Sequence, residues 1–168
     1  MTTPSLNLPS WVVTTMRDLG LDAPNGKEGN QLDIGGAWVA HGSRSAKPPQ
    51  DAVAAADDLV SQNGSAAVEA FGKNFKSPTA PAANLSDAST GAKGLGIGAM
   101  SFAGITLGLK LSNIAQVGML LVEIAEAVAD APFSFGASLL EIPAFKEVTT
   151  VGINASINTA SNAVMGHH

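Results

Sequence analysis

Cysteine and tyrosine are both absent from this chain of 168 residues. The first absence excludes disulfides, thiolate metal sites and cysteine nucleophiles. It suits either side of a membrane and fixes no compartment. Aromatic residues of all kinds reach only 5%, so Ala, Gly, Val, Leu and Ile have to fill the core. Small side chains of this sort favour closely packed helices over a thick aromatic core. Charge is sparse as well, at 14%, and its balance is acidic, with a formal net charge of −5. Phosphate binding needs clustered Lys and Arg. Here the nine basic residues are scattered, which argues against a nucleic-acid partner. The same balance gives no attraction to an anionic membrane surface.

Targeting signals are missing too. Met1-Thr2-Thr3-Pro4-Ser5-Leu6 has neither a basic n-region nor an apolar h-region, so no Sec-type signal is expected. Export, if it occurs, would use a signal-peptide-independent route; otherwise the chain is expected in the cytoplasm. At the other end, Met165-Gly166-His167-His168 reads as the start of an affinity tag and is left out of functional argument.

What is present is an apolar fraction of 45%, enough for a core, in a length of about one domain. The pattern predicts an all-α chain, a helical bundle with a long central apolar helix. It reads as a single helical domain over 1–164, with a Trp/Gly-turn half at 8–77, a long-helix half at 94–164 and a tag remnant at 165–168. Pro9 and Ser10 suit a helix start, and Trp11, Val12, Thr15, Met16 and Leu19 follow helical spacing to a stop at Gly20. A second helix is expected from Lys27 to Ser43, weakened by Gly35 and Gly36, and ended or kinked at Lys47-Pro48-Pro49. A third runs from Gln50 to Ser61. After Asn63-Gly64-Ser65, a stop followed by an N-cap, a fourth carries Ala67, Val68, Phe71 and Phe75. A short helix or ordered loop is expected over Ala82 to Lys93. The longest helical pattern then runs from Gly94 to Ala131-Pro132. Phe133 to Leu140 reads as a short helix. A last helix from Ala144 to Val164, rich in Thr, Asn and Ser, has partly extended structure as its alternative.

Few residues point to chemistry. Gly94-x-x-x-Gly98 and Gly104-x-x-x-Gly108 cut two notches that let another helix approach closely. They fit tight packing inside the bundle, or membrane insertion and self-association of Gly94 to Val128. Lys110 and an acidic stripe weigh against lipid. Glu123, Glu126 and Asp130 lie within two turns of one another but have no His beside them, so a solvated or partner-facing stripe is the plainer reading. His41, the only internal His, has no triad partners and no G-x-S-x-G elbow, and no second ligand for zinc. No nucleotide loop is satisfied. No catalytic, metal or cofactor-binding residues are therefore assigned, and an enzyme of unrecognised type ranks last among the readings. The large anchors in this small-residue chain are Trp11, Trp38, Phe71 and Phe75, suited to partner contacts or to core packing.

One stretch carries a family pattern. Leu8-Pro9-Ser10-Trp11-Val12, then Leu19-Gly20-x-x-x-Pro24-x-Gly26, then Leu32 and Ala37-Trp38, resembles the WXG100-like N-terminal domain of actinobacterial type VII secretion proteins. That domain opens large polymorphic toxins, including outer-membrane channel proteins. Gly64 to Phe71 resembles a later Gly-x-Ala-x-x-x-Phe element of the same family, with one extra residue before the Phe. The chain departs from the pattern at Ala23, where a Trp is common, and at Gly35-Gly36. Lacking Tyr, it has no Tyr-x-x-x-Asp/Glu export signal. The resemblance implies a non-catalytic export or interaction module, toxin-associated and secreted. It also implies a small helical partner or self-association, with the export signal residing on that partner or the system reading something else.

Overall fold

A computed structural model describes residues Thr2 to Gly166; the two final histidines of the tag reading lie outside the described residues. The chain is all-α, with no strand among the described residues. Its helices are α1 (Ser10–Asp18), α2 (Glu28–Ser45), α3 (Lys47–Gln62), α4 (Ala66–Phe75), α5 (Pro81–Asp130) and α6 (Ile142–Met165), with a 3-10 turn at Ala137–Glu141 before the last.

Local signals explain most of the boundaries. After α1, the Leu21 N–H reaches the Met16 carbonyl and the Gly20 N–H reaches Arg17. This pair of bonds closes a helix end only with the residue between them left-handed, and Gly20 has φ +74°. Pro48 and Pro49 sit in the first turn of α3, where a missing N–H costs nothing. Ser65 caps α4 through the Val68 N–H. Asp130 is the last residue of α5, two before Pro132. In α6, the hydroxyls of Thr150, Ser156 and Thr159 bond back to carbonyls four residues earlier. A Thr/Ser-rich helix can hold its polar side chains in this way, so α6 is helical throughout and the extended alternative falls.

One expectation needs correcting. Residues 82–93 are not a separate short helix or loop: α5 begins at Pro81 and is 50 residues long. No proline interrupts it after Pro81, and its glycines lower helix propensity without removing a backbone bond.

The backbone divides into two units, residues 1–30 with 102–168, and residues 31–101. The boundaries thus fall within α2 and α5, not in the stretch separating 8–77 from 94–164. In the discontinuous unit, α1, the C-terminal part of α5 and α6 share a core of Val12, Met16, Val117 and Ile153, all fully buried. Leu8, Leu19, Leu21, Ile114 and Ile157 pack around it. Asn113 is also fully buried, and neither of its amide atoms has a partner. That is a desolvation cost of roughly 1–3 kcal/mol, which the surrounding apolar contacts have to offset.

In the unit of residues 31–101, α2 lies directly against the first part of α5. A methyl placed on Gly96 would come within 2.5 Å of the Gly35 carbonyl oxygen, and one on Gly42 within 2.6 Å of the Ser89 carbonyl oxygen. The Ser89 hydroxyl donates to the Gly42 carbonyl at 2.6 Å. Gly35, expected only to weaken α2, is where the two backbones meet. α3 and α4 form a hairpin in which Gly72 receives Val60.

Candidate interaction surface

The exposed side of α5 carries no charge from Gly94 to Val122. Lys110 is the single ionisable residue of that stretch, and it is turned inward with a side chain 4% exposed. Residues spaced three or four apart share one face of a helix. In the discontinuous unit Gly104, Gly108, Leu111, Ala115, Met119 and Val122 form such a stripe, and all are exposed; Gly94 and Gly98, in the other unit, are exposed too. Nothing lies within 4 Å of a methyl placed on Gly94, Gly98, Gly104 or Gly108. These four notches receive no side chain from the chain itself. The close intramolecular contacts of the glycines fall instead at positions such as Gly35, Gly42 and Gly96. Beyond the last notch rise Leu111, 53% exposed, and Met119, 65% exposed.

Lys110 holds the discontinuous unit together. Its ammonium donates to the Glu28 carboxylate at 2.7 Å, the Leu6 carbonyl at 2.7 Å and the Gly26 carbonyl at 2.6 Å. All three ammonium hydrogens have acceptors. The second Glu28 oxygen accepts from the Leu6 N–H, and the Ser5 hydroxyl accepts from the Gly29 N–H. One cation on α5 therefore secures both the N-terminal segment and the turn before α2. In the sequence Lys110 reads only as a charge that weighs against lipid, and Glu28 escapes notice. The partners lie 82 to 104 residues away, so no local pattern announces them.

Burial alone would push the Glu28 carboxyl up. The hydrogen bond from Lys110, backbone N–H groups and the Lys110 charge outweigh it and hold the carboxyl below its ordinary value. The unfolded chain therefore binds this proton more readily, and stability rises with pH across the acid range. The contribution is complete above the usual Glu value of about 4.3 and is lost as pH falls through the lowered folded value. Urea midpoints measured from pH 7 to pH 3 should fall less steeply in Glu28→Gln than in the parent chain. Parallel profiles would refute this role.

The aromatic anchors are placed as follows. Trp11 is 41% exposed, and its ring edge lies 3.9 Å from where a Gly118 side chain would begin. Trp38 meets His41 edge-on, centroids 6.0 Å apart, and with Ile34 and Ala37 lines a shallow depression. Phe71 and Phe75 stack at 5.4 Å. Phe75 also lines an open cleft of about 610 Å³ with Pro49, Val53 and Ala82, beside the exposed Lys76–Asp57 ion pair. Phe71 and Phe75 are thus brought together, whereas Trp11 belongs to the other unit.

Gln116 donates to the hydroxyls of Ser112 and of Ser156 on α6, at 3.0 Å each. Glu126 and Asp130 are exposed and Glu123 half-buried. Among the described residues, no three His, Asp or Glu side chains gather as metal ligands. Comparison with protein-family models, with curated proteins and with solved structures found no match.

Proposed function

We propose that this chain is a non-catalytic helical docking module, delivered by a type VII-like export system, that presents the outer stripe of α5 to a small helical partner. The observation that carries this reading is the charge-free exposed stripe from Gly104 to Val122. A contiguous exposed apolar stripe marks an interaction site, and the notches at Gly104 and Gly108 followed by the ridge of Leu111 and Met119 suit the grooves and ridges of another helix. The family resemblance of residues 8–75 supplies the export setting.

The test follows release of the full chain into the medium, in a host with a type VII machine and in the same host with that machine disabled. Release should depend on the machine. It should drop roughly tenfold or more when Leu111→Glu and Met119→Glu are combined, the loss expected for central apolar anchors. Both positions are exposed, so folding should survive. Release that ignores both the machine and the stripe would overturn the proposal.

A second reading, insertion of α5 in a membrane, is favoured by one observation. An 18-residue window of α5 has mean hydropathy 1.5 with only 22% of it buried. Permeabilisation of vesicles by the parent chain, lost in the same double variant, would select it.

A further inference from the structure

Between α5 and α6 the chain makes a turn whose large apolar side chains stand mostly in the open. Phe133 is 84% exposed, Phe135 100% and Leu140 81%, with Leu139 beside them at 42%. Phe135 has φ +52°, the only non-glycine residue in the left-handed region among the described residues. A bulky residue there is strained, and a fully exposed ring gains no packing in return.

The polar groups of this turn are turned inward. The N–H groups of Phe133 and Ser134 bond to the Asp130 carbonyl, that of Gly136 to Ala131 and that of Ala137 to Ser134. The Leu139 N–H reaches the Gly136 carbonyl, and the Ser138 N–H reaches the Ser134 hydroxyl. The Ser134 hydroxyl donates to the Asp130 carbonyl at 3.0 Å and the Ser138 hydroxyl to the Ala127 carbonyl at 2.7 Å. No charge stands between Asp130 and Glu141. A loop built to bind protein offers hydrogen-bonding groups to its partner. This one keeps most of its N–H groups bonded internally and offers apolar side chains, which suits shallow contact with a bilayer surface and not entry of its backbone into hydrocarbon.

We infer that the α5–α6 turn, Ala131 to Leu140, is a shallow lipid-contacting tip that inserts its phenyl and leucyl side chains into a zwitterionic bilayer surface. Asp130 and Glu141 set the depth, because a carboxylate is costly below the headgroups. With Glu126 and Glu147 nearby, and Lys146 the single cation among them, the base of the tip is repelled by anionic lipid. The occupant is therefore a zwitterionic surface. This inference stands apart from the partner stripe of α5, which lies on other residues.

The test uses the full chain and sedimentation with phosphatidylcholine vesicles. The parent chain should bind, and Phe133→Ser with Phe135→Ser should weaken binding about 100-fold, roughly tenfold per buried ring. Thermal stability should be unchanged in that variant, because neither ring is packed. Replacing part of the phosphatidylcholine by phosphatidylserine should weaken binding of the parent. In Phe135→Trp, the added indole emission should shift to the blue on vesicles and be quenched by brominated acyl chains. The double variant Leu111→Glu with Met119→Glu should bind vesicles like the parent, which separates the tip from the stripe. Tighter binding to anionic vesicles, an unshifted indole emission in Phe135→Trp or loss of binding only in the stripe variant would each overturn the inference. An unshifted emission would leave a protein as occupant.

Discussion

Replacing Lys110 by methionine is expected to cost about 3–5 kcal/mol of folding free energy, the usual result of breaking a buried ion pair from one side. Methionine fills much the same volume, so the loss comes from what is left behind. Glu28 keeps its burial and its backbone N–H donors but loses its cation, and the carbonyls of Leu6 and Gly26 lose their shared donor. A domain of this size is stable by only about 5–15 kcal/mol, so the variant comes close to unfolding. Removing both charges, with Lys110→Met and Glu28→Met together, should recover most of the loss, because no unpaired ion remains. Urea denaturation of the two single variants and the double variant measures the coupling. Hydrogen exchange gives the second readout: amides from Leu6 to Leu8 and from Leu21 to Lys27 should lose protection first. A single variant that loses less than about 1 kcal/mol would mean that the clasp does not hold the N-terminal segment.

Gly96→Ala and Gly98→Ala should change stability in opposite directions. In an open helix position, alanine gains about 0.5–1 kcal/mol over glycine. Nothing lies within 4 Å of a methyl on Gly98, so that gain is expected in full. On Gly96, the methyl would stand 2.5 Å from the Gly35 oxygen and 2.8 Å from the Val39 nitrogen. Backbone cannot move aside as a side chain does, so α2 and α5 have to separate. The Ser89–Gly42 hydrogen bond is strained with them. Overpacking of this kind costs about 1–3 kcal/mol. At roughly 2–4 °C per kcal/mol for a chain of this length, the two variants should melt several degrees apart. Equal stabilisation by both would show that α2 does not approach α5 at Gly35.

These two predictions also mark what was legible in the sequence. The stop at Gly20, the cap at Ser65 and the end of α5 ahead of Pro132 all depend on residues within a few positions, so each is readable locally. The pairing of Phe71 with Phe75 follows from helical spacing alone. The start of α5 does not: residues 82–93 are polar and small, and a run of glycines after Lys93 looks like a beginning. The role of a glycine depends on what faces it. Gly96 and Gly98 read alike in sequence, and only the position of α2 tells them apart. Lys110 has the same difficulty, since its acceptors are far away along the chain. The tip reads as a short helix. Its signal is present in the charge-free run after Pro132, where two Phe flank a Ser ahead of a Gly, but no periodic pattern separates an exposed apolar turn from a buried one.

The clasp also sets an order of events during synthesis. Glu28 waits for a residue 82 positions later before its ion pair can form. At about 5–20 residues per second, that is a delay of roughly 4–16 s on the ribosome. For that interval the nascent N-terminal segment, Trp11 included, has no Lys110 to fasten it. Any chaperone or export adaptor that reads the first helix has its opening then, before the newborn chain closes on itself.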